Sequence, residues 1–440
     1  MASLTRTFLS RSAPALISRL NAIRASISSS DPIIWTLTVA PHLEQAQHTE
    51  LLSSLTSLSN NTVGCLSNVI PTADSARSDL ISCSIAAFDA ETTTIFRSEI
   101  SGRQAPQVGR WHAFRNRDAE QADQYVPKDE DFMDPDWKNI LMRGPRQEAL
   151  PPDLQAINPE SASAVIYLSD NAPEGLTRAL QRFPRATKVG LIAAATPFQS
   201  GRPFTLFRKG SLFGGGAVGL CLTSRPTPQL SAELPGLNTV TEPLQVTSAE
   251  GNLIHSLNGT NPSRLLLSAI QKAGTGATTE LSRLEEDDYY LGVLHKKGTE
   301  AQIERLYQIT SGDPSRGSLA LDSDTAPGEG ATVQASVFHL STHTQPDVLS
   351  RYLRPSTLHP SDKHCTITFA VAPAFWVPPA ADTAREDESV TELPGTFLAA
   401  SEYGVVVDRP NDVTAQAQAW KCSVPGGSVS LRWDAPPQTR

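Results

Sequence analysis

The sequence predicts an α/β fold, with mixed β-sheets flanked by helices in two halves of similar size. Three observations carry this. Residues 32–66 read as strand, helix, strand, the order that lays helices on a sheet. Runs of branched and apolar residues follow, and the same pattern resumes after a proline-bearing break near residue 224. Hydrophobic residues make up 39% of the 440, enough for two or three domain cores.

The first thirty residues stand apart. They contain Arg6, Arg11, Arg19, Arg24 and eight serines, and the first acid is Asp31. Leu16, Leu20, Ile23 and Ile27 share one helical face beside the arginines. An amphipathic, acid-free, Arg- and Ser-rich start has the composition of a mitochondrial transit peptide, and a disordered tail is the other reading. Residues 1–30 are therefore expected to be cut off near Ile27–Ser30, and the chain to reside in the mitochondrial matrix.

The first half, 31–223, starts with a strand over 32–40, a helix over 43–58 and a short strand at Thr62–Leu66. Leu80–Phe88 and Thr92–Ile100 are expected to form a hairpin around Asp89-Ala90-Glu91. Residues 103–160 lose the pattern and hold Trp111, Phe114, Tyr125, Phe132 and Trp137, so they read as an inserted, partly docked loop. The pattern returns with a strand at 162–168, a helix at 173–183 and strands at 188–195, 204–207 and 217–222.

Residues 224–237, with three prolines, read as a linker to a second half, 238–435. There Val246–Gly259 reads as strand, tight turn, strand, turn. Asn261 can cap a helix with Pro262 at its first position and Leu265, Leu266, Ala269 and Ile270 at helical spacing. Strands follow at 289–295, 303–309, 318–321, 331–338, 365–371, 395–400, 404–408 and 429–433. The acidic run 378–394 lies between prolines and is expected to be mobile and dispensable. No short repeat appears.

Charge and composition exclude some functions. The chain carries 37 basic and 46 acidic residues, and without its first thirty residues 33 basic ones remain. An acidic body with no basic concentration argues against a nucleic-acid partner. No run approaches the ~18 apolar residues that a membrane-spanning helix needs. Five cysteines, Cys65, Cys83, Cys221, Cys365 and Cys422, form no CxxC and mostly sit in apolar context, so buried free thiols are expected.

The catalytic motifs are weak. Gly214, Gly216 and Gly219 match GxGxxG, but an extended segment and then prolines follow where a dinucleotide fold needs a helix. A glycine-rich hairpin turn into a buried strand is the reading. His339 and His343 lack the acid of HExxH, and His364 and Cys365, adjacent on a strand, point to opposite faces. No P-loop or GxSxG elbow exists, so no metal, cofactor or catalytic residue is expected.

Two strand ends remain as candidates. Gly64-Cys65-Leu66-Ser67 offers a glycine for close approach and a hydroxyl where open α/β sheets bind ligands; a packed turn with a core cysteine is the alternative. Ser401-Glu402-Tyr403-Gly404 offers a carboxylate for an amine, or equally a hairpin turn with a solvated Glu402. Gly64, Cys65, Ser67, Glu402 and Gly404 are the candidate ligand residues.

Several segments in order resemble the FIST family. Trp35–Ser67 resembles the start of its N-terminal region, with a strand end carrying Gly64, Cys65 and Ser67. KVGLIAAATPFQSGRP (188–203) and GAVGLCLTS (216–224) are similar to later parts of that region. Val246–Gly259 and Tyr307–Val333 resemble the C-terminal region, and Phe397–Gly404 its late segment with Ala399, Ala400, Glu402 and Gly404. Ser401 stands where the family has glycine, and Trp420–Pro425 lacks the family's histidine. No F-box resemblance is present. The resemblance implies a non-enzymatic sensory protein that binds a small molecule, amino acids being suggested ligands. A protein–protein adaptor and an enzyme of unrecognised type are the alternatives.

Overall fold

The computed structural model describes residues 2–39, 43–74, 77–100, 102, 149–223, 226–273, 287–297, 300–313, 317–339, 346–353, 365–373, 389–409 and 419–433. Its sheets repeat one four-strand plan three times.

The first unit contains β1 (Leu4–Ser10), α1 (Ala13–Arg24), β2 (Pro32–Thr38), α2 (Gln45–Thr56), β3 (Asn61–Ser67) and β4 (Ile81–Ala87). Its strands lie in the order β1-β4-β2-β3, with β2 and β3 parallel and the other pairs antiparallel. The parallel pair needs a crossover, which α2 supplies. Ser12 Oγ accepts the Ala15 amide at 3.3 Å and starts α1. Leu16, Leu20, Leu51 and Leu55 of the two helices bury against Ile33, Trp35 and Leu37 on one sheet face.

The second unit repeats the plan with β5 (Thr93–Ser98), β6 (Ala162–Ser169), α3 (Glu174–Leu180), β7 (Thr187–Ile192), α4 (Pro197–Ser200), β8 (Leu206–Arg208), β9 (Ser211–Phe213) and β10 (Ala217–Thr223). Its order is β5-β10-β6-β7, with β6 and β7 parallel. Ile34, Val63 and Cys65 on the first sheet's other face share a core with Phe96, Val165 and Leu220 of the second.

The third unit is interrupted. After β11 (Gln229–Glu233) come β12 (Asn238–Thr239), β13 (Leu244–Glu250), β14 (Leu253–Leu257), α5 (Pro262–Ala273), β15 (Asp288–Lys297), β16 (Glu300–Asp313), β17 (Ser318–Leu321) and β18 (Thr332–Phe338). These strands pair antiparallel, and β18 pairs with both β13 and β15, which closes the insertion into a small barrel. Asn261 Oδ1 accepts the Arg264 amide at 3.0 Å, the cap read from the sequence. The unit resumes with α6 (Leu349–Leu353), β19 (Cys365–Val371), β20 (Thr391–Pro394), β21 (Thr396–Ser401), β22 (Val405–Asp408), β23 (Trp420–Cys422) and β24 (Ser428–Trp433). Its order is β11-β24-β19-β21, with β19 and β21 parallel.

Hairpins are exchanged between units. β8 and β9 leave β7 and extend the first sheet beside β3, while β22 and β23 leave β21 and extend the second beside β7. Asn68, just past β3, bridges to Ala400 of β21. The remaining edge of β21 is met by side chains: Thr7 Oγ1 accepts the Leu398 amide at 2.9 Å, and Ser84 Oγ donates to the Leu398 carbonyl at 2.6 Å. Buried backbone groups require such partners, which accounts for hydroxyl residues inside β1 and β4.

The α/β class and the mixed sheets stand as read, but four local expectations are corrected. Residues 4–24 are not a detached leader, because β1 is inserted between β4 and β20 and α1 is part of a core. Arg6 pairs with Glu392 at 3.0 Å and Arg11 with Asp79 at 2.7 Å. β4 and β5 form no hairpin; they belong to different sheets. The linker 224–237 contains β11, paired along its length with β24. Of the run 378–394, residues 378–388 lie outside the described residues and Thr391–Pro394 is a strand against β1. Of the insertion 103–160, residues 103–148 lie outside them as well, and Leu150 and Leu154 are buried.

Candidate functional site

The parallel strands β3, β7 and β21 end at one junction. The Asn68 amide donates to the Ala400 carbonyl at 2.8 Å, and the Ala194 amide to the Leu66 carbonyl at 3.0 Å. The Ile192 amide donates to the Gly404 carbonyl at 3.2 Å. Each unit thus closes on a neighbour at the carboxyl ends of its strands, where α/β sheets place ligands.

Glu402 is the charge of this junction. Its Oε1 accepts the Ala195 amide at 2.8 Å and its Oε2 accepts Asn68 Nδ2 at 3.1 Å. The side chain therefore ties all three units together while staying half-exposed. Gly404 makes the turn possible: its φ is +103°, and a Cβ there would overlap the Cys422 carbonyl.

Around the carboxylate stand an aromatic pair and a hydroxyl chain. Tyr403 and Phe204 meet edge to face, ring centroids 5.6 Å apart. Thr205 Oγ1 lies 2.6 Å from Thr196 Oγ1 and 2.7 Å from Ser200 Oγ. Burial first, and then the Glu402 charge, raises the Tyr403 phenol. A half-open carboxylate beside an aromatic face is suited to a cationic group.

The five residues expected here fall into two groups. Ser67, Glu402 and Gly404 lie at the junction. Ser67 is fully buried and its Oγ has no hydrogen-bond partner. Gly64 is corrected to a packing position, because the Trp35 indole occupies the space its Cβ would need. Tyr167 covers Gly190 in the same way at the equivalent pair of the second unit. Cys65 is corrected to a core residue; burial, and after it the Glu402 charge, holds its thiol far above the usual range. Asn68 and Ala195 were missed. An asparagine directly after a Gly-Cys-Leu-Ser strand end is the only signal that could have pointed to the first.

Other features lie elsewhere. A cleft of about 530 Å³ between α5 and the 239–244 segment, lined in part by Leu244, Leu265, Glu242 and Lys272, shares no residue with the junction. The junction has the buried polar anchors that the cleft lacks. Gly214–Gly216 lead into the buried strand β10, but the expected hairpin turn is corrected, because β9 and β10 lie in different sheets. His339 Nδ1 lies 2.8 Å from Asp287 Oδ2, and His255 Nε2 lies 3.9 Å from Glu250 Oε2. His343, His364 and His112 lie outside the described residues. Among the described residues no three His, Cys, Asp or Glu side chains cluster to hold a metal, and no helix is long and apolar enough to cross a membrane. All five cysteines are buried and free.

Compared with known families, residues 36–260, just over half of the chain, match the FIST N domain. No curated protein matches the chain.

Proposed function

Because the chain belongs to the FIST family, whose domains generally bind small ligands as sensors, we propose that it is a non-enzymatic ligand-binding regulatory protein. The observation that carries this reading is Glu402, half-exposed at the meeting of three strand ends and flanked by Tyr403. In this reading Glu402 meets an ammonium group, Tyr403 and Phe204 lie along the ligand, and Ser67 supplies a buried hydroxyl. An amino acid fits that description. The test is calorimetry against an amino-acid and metabolite panel with the wild type and Glu402→Gln, which keeps an acceptor for Ala195. Loss of the charged hydrogen bond should weaken binding by about 1.5–3 kcal/mol, roughly ten- to hundredfold. Equal affinity in both proteins would remove Glu402 from the site.

A mitochondrial location is part of the same proposal and rests on the acid-free, Arg-bearing start of the chain. Since β1 and α1 belong to the fold, the signal would have to act without being removed. Imaging of the full chain fused to a fluorescent reporter tests it. Arg19→Glu with Arg24→Glu, both exposed positions, should abolish import; a diffuse wild-type signal would overturn it. The adaptor reading draws on Phe198, which is 97% exposed.

A further inference from the structure

We propose that the free edge of β9 pairs with β9 of a second copy of this chain, about a twofold axis at Leu212. The hairpin geometry sets which groups are free. Lys209 and Gly210 have φ of 49° and 77°, a two-residue turn of the mirror-image type that closes tight hairpins. Arg208 and Ser211 are then the closing hydrogen-bonded pair, and Phe207 faces Leu212 in the next, non-hydrogen-bonded position. The Leu212 N–H and C=O therefore point away from β8, toward the outside of the sheet. Among the described residues β9 is the last strand there.

This edge is short, three residues, but carries no charge, proline or bulge of its own. Ser211-Leu212-Phe213 has no charge and no proline, and Gly210 and Gly214 flank it. Natural edges usually carry a lysine, a proline, a bulge or a cover, which prevents pairing with another chain. Leu212 is also 37% exposed.

The equivalent strand shows what such an edge meets. Gly64 pairs with Phe207, which pairs with Leu212. In the second sheet Gly190 pairs with Val406, which pairs with Lys421. Lys421 on β23 is thus the counterpart of Leu212, and it is ion-paired with Asp322 of the barrel. The same position is covered by protein in one sheet and bears an exposed leucine in the other.

The edge is complementary to itself. In an antiparallel β9–β9 pair centred on Leu212, the two leucines exchange both backbone hydrogen bonds. Ser211 stands opposite Phe213. Backbone and apolar contacts both match under one twofold operation, as an isologous interface requires.

The test is sedimentation of the full chain over a concentration series. The wild type should dimerise, and Leu212→Asp should move the dimerisation midpoint at least tenfold higher. In parallel, Leu212→Cys should be joined into a covalent dimer by a short bismaleimide. Ser53→Cys, exposed on α2, should not be, since the five native cysteines are buried. A wild type that is monomeric at every concentration overturns the proposal. So does a dimer unaffected by Leu212→Asp, or Leu212→Cys cross-linking no better than Ser53→Cys.

Discussion

Asn68 and Glu402 are 334 residues apart in sequence and meet as donor and acceptor, Nδ2 to Oε2 at 3.1 Å. Glu402 also receives the Ala195 amide, so one carboxylate joins strand ends of three units. A solvated carboxylate in a simple turn could be removed without cost to the fold. This one cannot, and that separates its structural role from any contact with a ligand.

Glu402→Ala should therefore destabilise the protein by about 1–3 kcal/mol, the cost of leaving donors unpaired. Glu402→Gln should cost less, because an oxygen remains for Ala195. Urea denaturation compares the three proteins; an unchanged midpoint for the alanine variant would show that the bonds contribute nothing.

Deletion of residues 1–30 should abolish cooperative folding. Phe8, Leu9, Leu16 and Leu20 are each at most 2% exposed. Burying such a side chain contributes about 1.5–3 kcal/mol, so the four together rival the net stability of about 5–15 kcal/mol of a typical domain. Circular dichroism with thermal melting checks this. A sharp, wild-type-like transition in the truncated chain would restore the leader reading.

The same segment shows how far the sequence could be read. Leu16 and Leu20 were legible as one face of a helix, but a transit peptide and a surface helix share that face and those arginines. β4 and β5 were legible as strands. Their separation into different sheets was not, because Asp89-Ala90-Glu91 carries only local turn information. The barrel elements from Val246 to the Asn261 cap were legible because turn and cap chemistry is local. At the site, Glu402 and Gly404 were marked by a strand end and a glycine. Gly64 was misread because a glycine admits a ligand and an indole equally well, and only the cross-strand partner, Trp35, distinguishes them.

Gly64→Ala should destabilise by about 1–3 kcal/mol or more, as overpacking does. Trp35→Leu in the same chain should recover part of that loss, giving a double-mutant cycle with a clear coupling term. Additive effects in denaturation would mean that the indole does not fill the space above Gly64.

Glu174 should make stability fall as pH rises. Burial is the largest cause raising its carboxyl above the ordinary 4.5, with Asp324 and Asp322 adding to it and a backbone hydrogen bond and Lys421 opposing. The folded state then binds the proton more tightly than the unfolded state. Stability is full below the ordinary value and is lost as pH rises through the interval up to the raised one. Glu174→Gln should be more stable than wild type near pH 7, with the smallest difference near pH 4. A difference constant across that range would contradict the assignment.

The most direct test is native mass spectrometry of the protein purified from its own cells, as wild type and as Ser67→Ala. The Ser67 hydroxyl is buried without a partner, so its removal should leave the fold intact. The wild type should carry a small-molecule mass that denaturation releases and that Ser67→Ala largely loses. A wild type of bare polypeptide mass, or a bound mass retained in full by Ser67→Ala, would contradict a ligand site at the three strand ends.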